Sequence, residues 1–248
     1  MNKTTYSYIF SVAAVSLIVI LSVFIFFFHT DENSSFDLEE YMGGIVEIEC
    51  GDGDRATVYG SGFIIDHDGI KVLSNAHVVM STEGGTTKAY ENIWARFFDS
   101  EQRHNLYVIS YDTRKDIAVL GFYETDILCD KLVIDTNRTK FGEEIFAVGN
   151  ARGYGLSVKD GIVSIPEIII IRNGVERVCV VVSSPINEGD SGGPILNKDG
   201  KVIGMMSFRL RDDDNNIVQG MSYAIPSSEI DSYLLTVPSL NERVEIDQ

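Results

Sequence analysis

Cysteine is scarce in this 248-residue chain: Cys50, Cys129 and Cys179 make an odd number and no pair has CxxC spacing. That excludes a dense disulfide framework and a zinc ribbon. Cys50 and Cys179 sit in apolar, strand-like runs that suit buried free thiols, and a single disulfide stays open as the alternative. Basic side chains are also short, with 20 Lys+Arg against 37 Asp+Glu and a formal net charge of -17. So acidic a chain lacks the clustered Lys and Arg that phosphate neutralisation needs, which argues against nucleic acid as a partner. Charge of either sign is nearly missing from the first 30 residues, where Lys3 stands alone; removing it leaves 19 basic and 37 acidic residues downstream, a net of -18. Long helical periodicity is lacking before residues 227–235, and no internal repeat or low-complexity segment is visible. What is present, 44% hydrophobic and 23% charged residues, excludes wholesale disorder.

The uncharged start contains Ile9–Phe28, 20 residues whose only polar members are Ser11, Ser16 and Ser22. At about 1.5 Å per residue this spans the ~30 Å hydrocarbon layer. A cleaved signal peptide would have a shorter apolar region and a small-x-small site, whereas this run ends in Phe26-Phe27-Phe28-His29. The expectation is an uncleaved signal anchor over 9–28, preceded by a short cytoplasmic tail over 1–8. Lys3 and the free amino terminus favour that end inside, which puts the rest of the chain outside the cell membrane. An acidic linker follows over 29–42, and residues 236–248 form a tail.

From Gly44 onward the chain reads as short β-type runs. Ile45–Cys50 alternates, with Val46, Ile48 and Cys50 on one face and Glu47 and Glu49 on the other. Runs at 57–65 and 70–74 flank Asp66-His67-Asp68-Gly69, a hairpin signature. Others fall at 92–98, 106–111, 117–122, 144–148, 161–171, 175–183, 194–196, 201–208 and 217–225. About a dozen strands make an all-β sandwich or paired barrels. A short terminal helix, capped by Ser227 or Ser228, closes the pattern.

Three segments carry chemistry. In Asn187-Glu188-Gly189-Asp190-Ser191-Gly192-Gly193-Pro194 the flanking glycines can hold Ser191 on a tight turn beside converging amides, which suits an acyl-transfer nucleophile; a glycine-rich hairpin is the plainer explanation. Among four histidines, His77 follows an apolar strand, while His29, His67 and His104 fit solvated positions. Asp116 heads the apolar run Ile117–Leu120, which would carry its carboxylate inward, where it needs a partner such as an imidazole N–H. Asp112 is the competing carboxylate, set before charged residues instead.

Taken in the order His77, Asp116, Ser191, these segments resemble the chymotrypsin-like serine proteases, and specifically the HtrA/DegP-like branch. The similarity runs through Gly60-Ser61-Gly62-Phe63, Ser74-Asn75-Ala76-His77-Val78-Val79, Asp116-Ile117-Ala118-Val119, Val148-Gly149-Asn150, Gly161-Ile162-Val163-Ser164 and Ser222-Tyr223-Ala224-Ile225-Pro226. It covers roughly 43–235. The resemblance implies two six-stranded antiparallel β-barrels, near 43–125 and 130–226, with the site between them. It implies His77 as general base, Asp116 as its orienting partner and Ser191 as nucleophile, with the amides of Gly189 and Ser191 as the oxyanion hole. Ser207 is implied to hydrogen-bond Asp116. No metal or organic cofactor is implied.

The same resemblance assigns Ile186, Phe208 and Arg209 to the pocket for the residue before the cut. Relatives favour small or medium aliphatic residues there; Arg209 either attracts an acidic side chain or points to solvent beside Asp212–Asp214. Many members carry a PDZ domain, for which the 22 residues after Pro226 are too few. Family trimers are held by aromatics near the domain start, where Phe36 and Tyr41 lie, so a homotrimer is the implied assembly. The expected function is a membrane-anchored extracytoplasmic serine endopeptidase acting on proteins or peptides, with a role in protein quality control. The alternatives are an idle protease-fold chaperone or binding module, and a glutamyl endopeptidase-like enzyme.

Overall fold

The structure, a computed structural model, describes residues 15–17, 37–53, 55–172, 174–211, 214 and 216–238. Residues 1–37 and 38–248 form separate units. Apart from 15–17, the apolar run over 9–28 lies outside the described residues, as does Phe36. Among the described residues no helix is long and apolar enough to cross a membrane.

The larger unit is built on two closed barrels. In the first, β1 (Ile45–Gly51), β2 (Val58–Asp66), β3 (Ile70–Ser74), β6 (Asn92–Phe97), β7 (Arg103–Asp112) and β8 (Ile117–Phe122) pair in the order β1-β2-β3-β8-β7-β6. The β2–β3 turn sets Asp68 and Gly69 at positive φ, in accord with the Asp-Gly signal. Between β3 and β6 the chain adds α2 (Ala76–Val79) and a two-stranded hairpin, β4 (Met80–Glu83) and β5 (Thr86–Ala89). Gly84 and Gly85, both at positive φ, make its turn. The sequence pattern gave no strand there, because Ser and Thr dominate where apolar alternation would mark one.

The second barrel pairs β9 (Glu144–Gly149), β10 (Ser157–Arg172), β11 (Val175–Val182), β12 (Pro194–Leu196), β13 (Val202–Arg211) and β14 (Ile217–Pro226) in the order β10-β11-β14-β13-β12-β9. A terminal helix, α3 (Ser227–Leu234), follows. Its N-cap is Pro226, with no side-chain cap hydrogen bond, so neither Ser227 nor Ser228 caps it as expected. Ser227 is itself buried.

One apolar cluster joins the barrels: Ile45, Phe63, Leu73 and Ile117 from the first meet Val148, Leu196, Met205 and Ile225 from the second. Burying each such side chain contributes ~1.5–3 kcal/mol. The connecting segment is stitched to both sides, Leu132 N–H donating to the Ile64 carbonyl oxygen and Val202 N–H to that of Val133. A short helix, α1 (Glu39–Met42), lies inside the segment read as linker and buries Met42 in the same cluster. Tyr41 packs on this cluster too, and the turn at Gly200 has no room for a Cβ against its ring. Tyr41, one of the two aromatics named for a trimer contact, thus packs against its own chain.

Burial corrects three further expectations. All seven residues of β1 are buried, including the supposedly outward Glu47 and Glu49. Arg96 lies 2.8 Å from Glu47 and 3.6 Å from Glu49, and Arg103 also pairs with Glu49. His67 is not simply solvated, since its Nε2 sits 3.1 Å from the Leu234 carbonyl oxygen. His104 packs edge-on against Phe97 and Phe122, because β7 turns it inward. All three cysteines are free thiols, Cys50 and Cys179 buried and Cys129 half-buried.

Candidate active site

The short helix α2 presents His77 at the barrel junction with its side chain half exposed, while Ala76, Val78 and Val79 fix the helix from below. Asp116 ends the β7–β8 turn at φ 62°, a left-handed conformation that aspartate tolerates better than most residues. The strand that follows draws it inside, to 4% exposure. There its carboxylate is surrounded by donors. His77 Nδ1 lies 2.9 and 3.0 Å from its two oxygens, His77 N–H donates at 3.0 Å, and the Ser207 hydroxyl donates at 2.8 Å. The Asn75 amide anchors the Asp116 carbonyl oxygen at 3.0 Å. Burial alone would raise the Asp116 carboxyl, but the His77 hydrogen bond and charge, with the Ser207 bond, outweigh it and hold it below the ordinary carboxylate range. Asp112 instead accepts the N–H groups of Arg114 and Lys115 and serves its own turn.

Ser191 comes from the second barrel, on the turn between β11 and β12. Its hydroxyl donates to the Ser207 carbonyl oxygen at 3.0 Å. The turn is seated on β2: Ser61 N–H donates to the Ser191 carbonyl oxygen, and Ser61 Oγ to that of Gly189, both at 2.8 Å. Such closeness explains the glycines. A Cβ on Gly192 would stand 2.1 Å from the Ser61 carbonyl oxygen, and one on Gly189 (φ 92°) 2.1 Å from that of Asn150. Arg152 N–H holds the Glu188 carbonyl oxygen at 2.7 Å. The N–H groups of Gly189 and Ser191 have no acceptor among the described residues, so two donors remain free on either side of Asp190.

The sequence reading gave Asp190 no role, yet it is fully buried. One oxygen accepts the Asn187 N–H and the other meets Lys159 Nζ, both at 2.6 Å. An unpaired charge cannot persist at such a site. Nothing local in the sequence marked this pair, since Lys159 lies 31 residues away on β10. Arg172 and Arg177, near His77, were likewise missed.

The residues assigned to the substrate pocket do not all share a surface. Ile186 is 2% exposed and packs with Val182, Ile195 and Met206 in the second barrel. Phe208 stacks on Tyr223 with ring centres 5.0 Å apart, and Arg172 covers it at 4.0 Å. Arg209 stands 4.0 Å from the exposed Glu188. Asp212 and Asp213 lie outside the described residues. No cluster of three or more His, Cys, Asp or Glu among the described residues could hold a metal ion.

Two closed six-stranded barrels with a histidine–aspartate pair on one and a glycine-flanked serine on the other define a chymotrypsin-like fold. The family model described as a trypsin-like peptidase domain matches residues 60–205, and the chain belongs to that family, in its HtrA/DegP-like branch. It is 31% identical to the periplasmic serine endoprotease DegP of Escherichia coli over 69% of this chain and 34% of that protein. It is 30% identical to the serine protease Do-like HtrA of Bacillus subtilis over 71% and 38%. The chain thus spans little more than a third of the length of these relatives. The fold is also that of the Rv3671c protease of M. tuberculosis in its active form, with TM-score 0.67 and 21% identity over 83% of this chain and 85% of that one.

Proposed function

We propose that this chain is a serine endopeptidase that cleaves proteins or peptides through an acyl-enzyme. The observation that carries this reading is the His77–Asp116 pair, linked through Ser207 to a serine whose turn leaves two amide donors free. Ser191 attacks the scissile carbonyl once its hydroxyl leaves the Ser207 carbonyl and passes its proton to His77 Nε2. Asp116 keeps the Nδ1 proton in place and stabilises the imidazolium. The Gly189 and Ser191 amides receive the oxyanion, an interaction whose loss costs ~10²–10³ in turnover in another serine protease class. His77 then returns the proton to the leaving amine, and water repeats the cycle on the ester.

The relatives include a periplasmic endoprotease, which supports a protease domain outside the cytoplasm. The 9–28 run supports tethering to the membrane. Together they suit turnover of damaged or regulatory proteins in that compartment. The hydroxyl's present bond to Ser207 favours a second reading, an idle binding module. Ser191→Ala against unfolded casein, with fluorophosphonate labelling of the unaltered chain, decides between them. Cleavage and labelling that both vanish in the variant support the peptidase. Casein cleavage unchanged in the variant rejects Ser191 as nucleophile, and an unlabelled, inert parent chain leaves the binding module.

A further inference from the structure

A cleft of about 270 Å³ opens beside His77, and no residue of the Ser191 turn lines it. One wall is α2 with the β4–β5 hairpin, through Met80, Thr82 and Thr87; the other is Phe208 with Arg172 and Arg177; Asp116 and Ser207 form the floor. Its charges do not cancel. Asp116 is the one carboxylate in the lining, and its oxygens are taken by His77 and Ser207. Arg177 touches Asp116 only at 3.7 Å, spends one nitrogen on the Thr113 carbonyl oxygen at 3.1 Å, and has a buried Nε with no partner. Arg172 has no ion-pair partner among the described residues; its guanidinium carbon lies 4.0 Å from the centre of the Phe208 ring. Partial burial, and then the like charge of Arg177, pull it below its ordinary value.

Two guanidinium groups set against one carboxylate around a recess therefore stand in a chain of net charge -17. An apolar side chain would leave the excess positive charge of the lining unopposed. A carboxylate between them meets planar donors suited to it and is held against the aromatic ring. We infer that this cleft is a subsite for an Asp or Glu side chain of the substrate, with Arg172 and Arg177 as its recognition residues. The subsite rests on the peptidase reading given above. It serves a position other than the residue bearing the scissile carbonyl, because Ser191, Gly189, Ile186 and Arg209 are absent from its walls. The acidic surface elsewhere repels acidic polypeptides, so the preference is local: one acid in the right register, rather than acidic proteins at large.

The test has a cleavage arm and a binding arm, both on the full chain. In the first, peptides varied within four residues of the cut compare Asp and Glu with Asn and Gln. An acid-to-amide ratio in kcat/KM of about ten or more is expected at one position, falling as salt rises. Arg172→Gln brings that ratio near one, and Arg172→Glu inverts it in favour of Lys or Arg. In the second arm the Ser191→Ala chain binds fluorescent forms of the same peptides, with about tenfold tighter Kd for the acid. This arm does not need catalysis, so it stands even if the peptidase reading fails. Equal affinity for acid and amide at every position overturns the subsite. So does an acid preference that survives Arg172→Glu, or one confined to the residue before the cut and abolished by Arg209→Gln.

Discussion

Lys159→Met is the sharpest perturbation the structure offers, because it removes one side chain from a fully buried carboxylate and leaves the proposed triad intact. Asp190 has two partners, Lys159 Nζ and the Asn187 N–H, each at 2.6 Å, and no exposed surface. Removing one member of a buried ion pair typically costs ~3–5 kcal/mol, because the remaining charge is stranded. Asp190 lies between the two free amides, so the turn relieves the stranded charge by rotating the carboxylate toward water. That rotation moves the Gly189 and Ser191 N–H groups. At ~1.36 kcal/mol per factor of ten, a cost of ~3 kcal/mol drawn from the turn lowers kcat about a hundredfold. KM for a short peptide changes far less. The assay is steady-state cleavage with active-site titration by a fluorophosphonate, alongside thermal unfolding. The double change Lys159→Met with Asp190→Asn removes the stranded charge and retains an acceptor for Asn187. It restores kcat to within about tenfold of the parent. A Lys159→Met chain with a lowered melting temperature but unchanged kcat and titre would refute the reasoning, and so would a double variant no better than the single one.

Ser207→Ala deletes a 2.8 Å hydrogen bond to Asp116 worth ~1–2 kcal/mol, and lowers kcat by about five- to thirtyfold with little change in melting temperature. Ser207→Thr, which keeps the hydroxyl, recovers more of that loss than Ser207→Val does. The lowered Asp116 carboxyl makes folding stability pH-dependent with a definite sign. Its contribution is complete above the unfolded carboxyl value of ~3.9 and is lost as pH falls through the lower folded value. Asp116→Asn therefore flattens acid unfolding over that window, as read by circular dichroism. Burial pushes the Cys179 thiol up to about 11 and Cys50 higher still. A thiol reagent at pH 8 accordingly modifies half-buried Cys129 first and the other two only in denaturant.

Legibility in the sequence followed the range of the interaction. The β2–β3 hairpin was readable because Asp68 and Gly69 carry their own turn chemistry, and β8 because Ile117–Leu120 is apolar without interruption. The triad candidates stood in short blocks whose small residues have a local purpose. Gly60 and Gly192, for example, leave room where β2 and the Ser191 turn touch. What stayed hidden depended on partners distant along the chain. Glu47 and Glu49 look outward in a two-residue alternation until Arg96 and Arg103 close over them from other strands. Lys159 has the same local setting as any strand lysine, and Asp190, 31 residues away, gives it a buried partner. The β4–β5 hairpin has polar strands held by backbone pairing, so hydrophobic periodicity could not mark it. A capping serine was expected at α3 because Ser is a good cap, but packing buried Ser227.

The Ser207–Asp116 bond and the Ser61 contacts to the Ser191 turn all run from one barrel to the other. Neither half holds a complete site, and the cleft's arginines and its threonine wall are divided in the same way. The proposed hydrolysis would therefore report assembly. Fragments ending near 125 and beginning near 130 would each be silent, and signal would appear only when the shared core through Phe63, Leu73, Met205 and Ile225 reforms. The chain can accordingly serve as a split sensor for interactions fused to its two halves, with the seam's packing setting the background.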